Sequence, residues 1–233
     1  MALYKINFSD FFTSAFSVDC LIFGFSKGEI KTLLIKRSVE PFKDFWATPG
    51  DLVYPDEDLS IAAERILKEL TGLSNIPMHQ AHTFGSPSRH PQGRVITIAY
   101  YALVRIEDFS IKASSWANEI KWESVDQVGN LAFDHNEILN ATYDRLKKQL
   151  SIAPICFELL PEKFTLNEFQ QLYEYANKTP FDKANFRKKI KGIPLIKHTE
   201  KQTNVKHRPA ALFSFDQKTE LERLEKNEWN FKM

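Results

Sequence analysis

The chain has 233 residues, 43% hydrophobic and 26% charged, with a formal net charge of +1. That is enough apolar material for a real core and enough length for two domains, which argues against intrinsic disorder. No uncharged apolar run approaches the roughly 18 residues that span a bilayer, and the opening "MALYKINFSDFF" lacks the basic-then-apolar layout of a signal peptide, so a cytoplasmic protein with no membrane partner is expected.

In chain order, "VDCLIFGF" (18–25) and "KTLLIKR" (31–37) are rich in branched and aromatic residues and flank a turn containing Gly28, the pattern of a hairpin. "EDLSIAAERILKELTGL", Glu57 to Leu73, has helical spacing through Ile61, Ala62, Arg65, Ile66, Glu69 and Leu70, with Asp58 placed to cap its start. "MHQAHTFG" and "RVITIAYYALV" are two strands around the loop "SPSRHPQG", "EIKWESV" is a further strand, and residues 135–150, "HNEILNATYDRLKKQL", are a second amphipathic helix. The prolines of "SIAPICFELLPEKF" then change the pattern, which places a domain boundary near residues 151–160 and divides the chain into 1–155 and 156–233. Cys20 and Cys156 sit among apolar neighbours in different halves and are expected to be buried thiols rather than a disulfide or metal pair.

The second half reads as a small helical module with a basic hairpin. "TLNEFQQLYEYANK" opens with the capping box Thr165 and Glu168 and turns Leu166, Phe169, Leu172 and Tyr173 to one side. "DKANFRKKIKG" is a shorter helix from Asp182 to Gly192, with Phe186 and Ile190 on one side and Lys183, Arg187 and Lys191 at spacing four on another. "PLIKHTEKQTNVKHRPAALFSF" supplies two strands around a basic tip. Asp182 to Arg208 holds nine basic and two acidic residues, a net +7 that leaves −6 on the rest of the chain. A charge run is ordinarily a solvated face. Here an amphipathic helix, a basic helix with an apolar back and a basic hairpin follow one another in the order of a winged helix-turn-helix. Lys183, Asn185, Arg187, Lys188, Lys189, Lys201, Lys206 and Arg208 are therefore the expected contacts to double-stranded DNA, long cations for phosphates and amide or guanidinium groups for base edges.

From Asp51 to Leu73 the chain fits, without a gap, the spacing of the Nudix hydrolases: Gly, five residues, Glu, seven residues, then Arg-Glu-aliphatic-x-Glu-Glu-x-Gly-aliphatic. Glu57, Arg65, Leu67, Glu69, Gly72 and Leu73 match it, whereas Asp51, Ile66 and Leu70 depart from it. In that family the two glutamates replaced by Ile66 and Leu70, with the one at Glu69, ligate Mg²⁺. A hard divalent cation needs several oxygens, which one carboxylate beside two aliphatic side chains does not supply. The resemblance thus implies an α+β fold, an α/β/α Nudix sandwich with a mixed sheet followed by a winged helix-turn-helix, that is not an enzyme: no catalytic residue, metal ligand or cofactor is expected. Glu57 and Arg65 would keep bracing the loop and helix.

A degenerate Nudix domain followed by a winged helix resembles the Nudix-related bacterial transcription regulators. One branch of these responds to ADP-ribose. "VDCLIFGF", "ERILKELTGL", "FGSPSRHPQGRVITIAYYAL", "FDH" and "DKANFRKKI" look closer to the L-arabinose-responsive branch, so the expectation is a homodimeric, pentose-responsive regulator reading a palindromic operator. The alternative is an ADP-ribose-responsive regulator, or a hydrolase, acting on nucleoside diphosphate derivatives.

Recognition of a sugar needs carboxylate, amide or guanidinium groups for its hydroxyls and an aromatic ring against its C–H face. Polar residues in apolar strands and their loops are the candidates: Asp19, Lys36, Arg37, Arg89, Arg94, Tyr100, Asp134 and His135, with Trp46 as a platform. Each also has a plain structural explanation. Asp134 and His135 could cap the following helix, Asp19 could satisfy a strand edge, and Arg89 and Arg94 could be loop surface or recognise phosphates.

Overall fold

β1 (Ala15–Ser26) and β2 (Glu29–Arg37) form the expected hairpin, closed by Lys27 and Gly28, whose φ values of 53° and 82° suit a two-residue turn between twisted strands. The computed structural model describes residues 14–152, 159–203, 208–216 and 218–219. The opening segment, most of the domain boundary, Cys156, Lys206 and the tail from residue 220 lie outside the described residues.

The two strands of the hairpin pair with each other only from Phe23 to Ser26 and from Glu29 to Thr32. Beyond that they part. β3 (Trp46–Ala47) pairs with the far end of β2, and β4 (Gly50–Leu52) pairs with the near end of β1, so the hairpin opens into a fork. On the other side of β1 runs β6 (Val95–Val104), parallel to it and antiparallel to β5 (His79–Phe84), while β7 (Ala117–Ser124) pairs antiparallel with β2. The result is a mixed, seven-stranded sheet.

Strand alternation gives this sheet two apolar faces. On one lies α1 (Leu59–Thr71), which buries Ala62, Ala63, Ile66, Leu67 and Leu70 against Val18, Cys20, Ile22 and Leu33. Burial among these neighbours pushes the Cys20 thiol far above its ordinary pKa. On the other face lies α2 (His135–Ile152), with Ile138, Leu139, Tyr143 and Leu146 against Leu21, Phe23 and Leu34. The α/β/α sandwich is therefore present. Two details of α1 differ from expectation: Ile61 falls on the side opposite Ile66 and is 58% exposed. Asp58 occupies the N-cap position, but its side chain makes no capping hydrogen bond. Gly72 ends the helix at φ 74°, a left-handed conformation that glycine adopts without steric cost.

The second unit is β8 (Phe164–Thr165), α3 (Leu166–Asn177), α4 (Lys183–Lys189) with a 3-10 turn at Ile190–Gly192, β9 (Leu195–Lys201) and β10 (Ala211–Phe215), the strands ordered β8-β10-β9. The capping box is formed: the Glu168 N–H donates to Thr165 Oγ1 at 3.2 Å, and the Thr165 N–H to Glu168 Oε2 at 2.7 Å. Its core is aromatic, Phe169 meeting Phe186 and Phe215 edge-on at 5.6 and 5.5 Å.

The two units share one apolar cluster, which runs from Leu34 and Tyr143 into Leu172 and Tyr173. Polar contacts cross the same joint. Tyr175 Oη lies 3.1 Å from Ser124 Oγ, Lys178 pairs with Asp126, and Arg105 Nε donates to the Leu160 carbonyl at 2.5 Å. Among the described residues, no helix is long and apolar enough to cross a membrane.

Candidate effector cavity and nucleic-acid interface

The fork between β1 and β2 leaves a cavity of about 540 Å³, closed above by the loop 86–94 and at its end by the start of α2. Asp19, on β1, is its buried centre. Thr97 Oγ1 donates to Asp19 Oδ2 at 2.7 Å and Thr48 Oγ1 to Oδ1 at 3.3 Å, while His135 Nε2 faces Oδ1 at 3.4 Å. The Thr48 N–H donates to His135 Nδ1 at 3.1 Å. That bond assigns the tautomer: Nδ1 carries the lone pair and Nε2 the proton, pointed at the carboxylate. Burial holds the imidazole below its ordinary pKa, with Asp19 and Asp134 opposing the shift. A side chain at position 50 would collide with the Asp19 carboxylate, which is why Gly50 follows Pro49 here.

Two arginines define the rest. Arg89 makes a forked pair with Asp134, Nε to Oδ2 at 2.8 Å and Nη2 to Oδ1 at 2.7 Å, and so ties the roof loop to the start of α2. Arg37, at the end of β2, donates Nε to the Pro41 carbonyl at 2.8 Å, and its guanidinium lies 4.8 Å from the Trp116 ring and 5.0 Å from the Phe133 ring. The residue lines the cavity. His90 stacks on Phe133 at 4.9 Å and 14°. Arg94 donates to the Gly85 carbonyl, and Trp116 Nε1 to Asp51 Oδ2 at 3.1 Å.

Of the ligand residues expected from sequence, Asp19, Arg37, Arg89, Arg94 and His135 line this cavity and Asp134 braces it. Three do not reach it. Strand alternation turns Lys36 to the face opposite Arg37, and Lys36 pairs with Glu119 at 2.8 Å. Tyr100 shares strand parity with Ile98 and Ala102 and packs into the core beneath α1. Trp46 packs against the α2-side core, with Lys121 over its ring at 4.4 Å. Trp116, Phe133 and His90 also line the cavity and were not singled out from the sequence, where each stands in a loop or turn with no pattern to mark it.

The Nudix helix keeps its brace. Arg65 donates to both oxygens of Glu57, at 2.9 and 2.5 Å, and to the Leu52 carbonyl at 2.9 Å, which fixes the loop at the cavity floor. The Arg65 guanidinium beside Glu57 holds that carboxyl below its ordinary range. Ile66 and Leu70 are buried among aliphatic neighbours, and Glu69 lies against Arg65 at 3.3 Å. These groups do not fit a hard divalent cation: two of the three family ligand positions offer only methyl groups to the protein core.

On the second unit, Asp182 accepts from the N–H groups of Ala184 and Asn185 and thereby starts α4, whose Phe186 is buried, as is Ile190 of the 3-10 turn that follows. Lys183, Asn185, Arg187, Lys188, Lys189 and Lys191 are all exposed. Glu200, the other acid in this basic stretch, is taken by Lys163 at 2.7 Å. Both acids of the stretch thus have structural partners, and the cationic face of α4 and the β9 end at Lys201 is presented to solvent. Arg208 is exposed at the other side of the wing.

Residues 13–146 match the NUDIX domain family, and residues 156–215 match the NrtR DNA-binding winged helix domain. The ADPR responsive transcriptional repressor NtrR of Acinetobacter baylyi is 30% identical over 211 residues, 89% of this chain and 84% of that protein. NrtR of Shewanella oneidensis, crystallised with a 27mer DNA, superposes with a TM-score of 0.71 at 28% identity over 88% of this chain and 95% of its own. Its Nudix domain in complex with ADP ribose superposes with a TM-score of 0.56, covering 61% of this chain and 94% of that domain. An ADP-ribose pyrophosphatase of Methanocaldococcus jannaschii is 34% identical over 116 residues, half of this chain and 68% of that enzyme. These findings overturn the expectation of a sugar-responsive regulator: the relatives are named for, or complexed with, ADP-ribose, and none of them for a pentose. The chain carries a Nudix domain joined to an NrtR-type winged helix and belongs to the NrtR family of Nudix-related, DNA-binding transcription regulators.

Proposed function

We propose that this protein is an ADP-ribose-responsive transcription regulator that binds the nucleotide in the Nudix cavity without hydrolysing it, and that a homodimer reads a palindromic operator with its two winged helices. The observation that carries the effector assignment is Arg37, a guanidinium packed against the Trp116 and Phe133 rings in the lining of a cavity of about 540 Å³. A planar cation in that setting suits the fork-on-fork recognition of a phosphate. The aromatic rings suit a nucleobase. A free pentose would leave most of the volume to water and the cation unmatched. The regulator works where the chromosome is, in the cytoplasm.

The absence of hydrolysis follows in this proposal from Ile66 and Leu70, which bring no oxygen to the place where the family holds Mg²⁺. Calorimetric titration with ADP-ribose, with and without Mg²⁺, tests both parts. The expected result is saturable binding independent of Mg²⁺ and no release of AMP on prolonged incubation. Absence of binding would refute the effector assignment, and Mg²⁺-dependent AMP release would make the protein a pyrophosphatase.

A further inference from the structure

We propose that residues 124–135, the strap joining β7 to α2, are the element through which an occupied cavity changes the attitude of the DNA-reading unit. This rests on the effector assignment above. Each end of the strap is fastened to a different unit. At its start, Ser124 Oγ lies 3.1 Å from Tyr175 Oη, and Asp126 pairs with Lys178, both partners being near the end of α3. At its other end, Phe133 and His135 line the cavity and Asp134 holds Arg89.

Between these ends the strap is built to move as a piece. The Asn136 side chain accepts from the Leu131 N–H at 2.8 Å and donates to the Gly129 carbonyl at 2.9 Å, which clips 129–131 to the first turn of α2. The Ala132 N–H donates to the Trp46 carbonyl at 2.8 Å. A shift of Phe133 is thereby carried to Gly129 and on to Val128, which packs against the same apolar cluster as Leu172 and Tyr173 of α3. β2 also runs from Arg37 to the Tyr175 contact at Ile30, 3.5 Å away, but it is laddered on both edges, to β1 and β3 on one side and β7 on the other. From Val125 to Asp134 the strap takes part in no strand ladder, and the Ala132 bond ties it to β3.

The cavity end is also held under strain. Phe133 has φ 52°, a left-handed conformation unfavourable for a residue with a Cβ, and its ring is gripped by His90, Phe42 and Arg37, at 4.9, 4.6 and 5.0 Å. A ligand entering the cavity meets Phe133 together with His90 and Arg37 and competes with His90 for a face of that ring. Phe133 then has a lower-energy backbone conformation open to it, which gives the strap two arrangements that effector binding can bias.

The test is a coupling measurement on the joint, away from both binding surfaces. Affinity for a duplex selected by the protein itself is measured with and without saturating ADP-ribose, and ADP-ribose affinity is measured separately, for the unaltered protein, Tyr175→Phe, Asp126→Lys, and Asp126→Lys combined with Lys178→Asp. The expected result is that each variant binds ADP-ribose alone and DNA alone within about threefold of the unaltered protein. The ratio of the two DNA affinities falls at least fivefold toward one in Asp126→Lys and is restored in the charge-swapped pair. A ratio unchanged in Asp126→Lys and Tyr175→Phe overturns the strap alone. Failure of the unaltered protein to bind ADP-ribose overturns the effector assignment and the strap with it.

Discussion

Arg37 owes its role to its surroundings more than to its charge. The Pro41 carbonyl fixes one nitrogen and two rings fix the plane, so the group is already oriented when a ligand arrives. A lysine would keep the cation but not the fork, and Arg37→Lys is predicted to weaken ADP-ribose binding by about tenfold or more in calorimetry; near-native affinity would argue against a phosphate contact at this residue. His135 makes a prediction about pH. Its folded-state pKa lies below its ordinary 6.5, so between those values the unfolded chain takes up a proton that the folded protein refuses. Stability therefore falls as pH drops through about 6.5. His135→Gln should flatten the melting temperature between about pH 7 and pH 5, and an unchanged slope would mean that other groups set it. Ile66→Glu, which restores a family carboxylate, places a charge at a fully buried site and is predicted to cost about 3 kcal/mol in denaturant unfolding without creating Mg²⁺-dependent hydrolysis. Asp19, Arg37, Arg89, Arg94 and His135 were legible as polar residues set in apolar strands and their loops. Trp116 and Phe133 were not, because only the folded chain brings an arginine between them.

Elements were legible where pattern alone specifies them. The apolar runs of β1, β2 and β6, the spacing of α2, and the capping box of α3 are local signals that tertiary packing leaves intact. β3 and β4, two and three residues long, are not local at all: they exist because the hairpin forks and leaves edges to be paired. β4 lines the cavity, so one of the elements least visible in sequence helps to make the site. α4 shows the separation of structural from binding residues on a single helix. Phe186 is buried, whereas Arg187 and Lys188 are exposed. Arg187→Ala with Lys188→Ala should abolish duplex binding at moderate salt while leaving the melting temperature within about 2 °C. Undiminished binding at low salt would remove α4 from the DNA interface.

Over the whole molecule, the cavity and the basic face belong to different units joined through one continuous apolar cluster and a few polar contacts. Charge is divided in the same way, +7 concentrated from Asp182 to Arg208 and −6 spread over the rest. In the proposed function DNA meets the basic stretch while the effector meets the cavity of the other unit. The identity of the proposed effector was the least legible feature. It depends on a volume and a lining assembled from β1, β2, β4, the roof loop and the start of α2, and no single segment of sequence carries that information. If ADP-ribose shifts DNA binding through this joint, the same coupling must appear in both directions, since linkage is reciprocal.

The most direct measurement is DNA affinity against ADP-ribose concentration, by fluorescence anisotropy, on a duplex that the protein has itself selected, with ribose as a control and no Mg²⁺. The account predicts that ADP-ribose changes the duplex affinity at least fivefold, that duplex in turn changes ADP-ribose affinity by the same factor, and that ribose does nothing. An affinity indifferent to ADP-ribose, in a protein shown to bind both ligands, would contradict it.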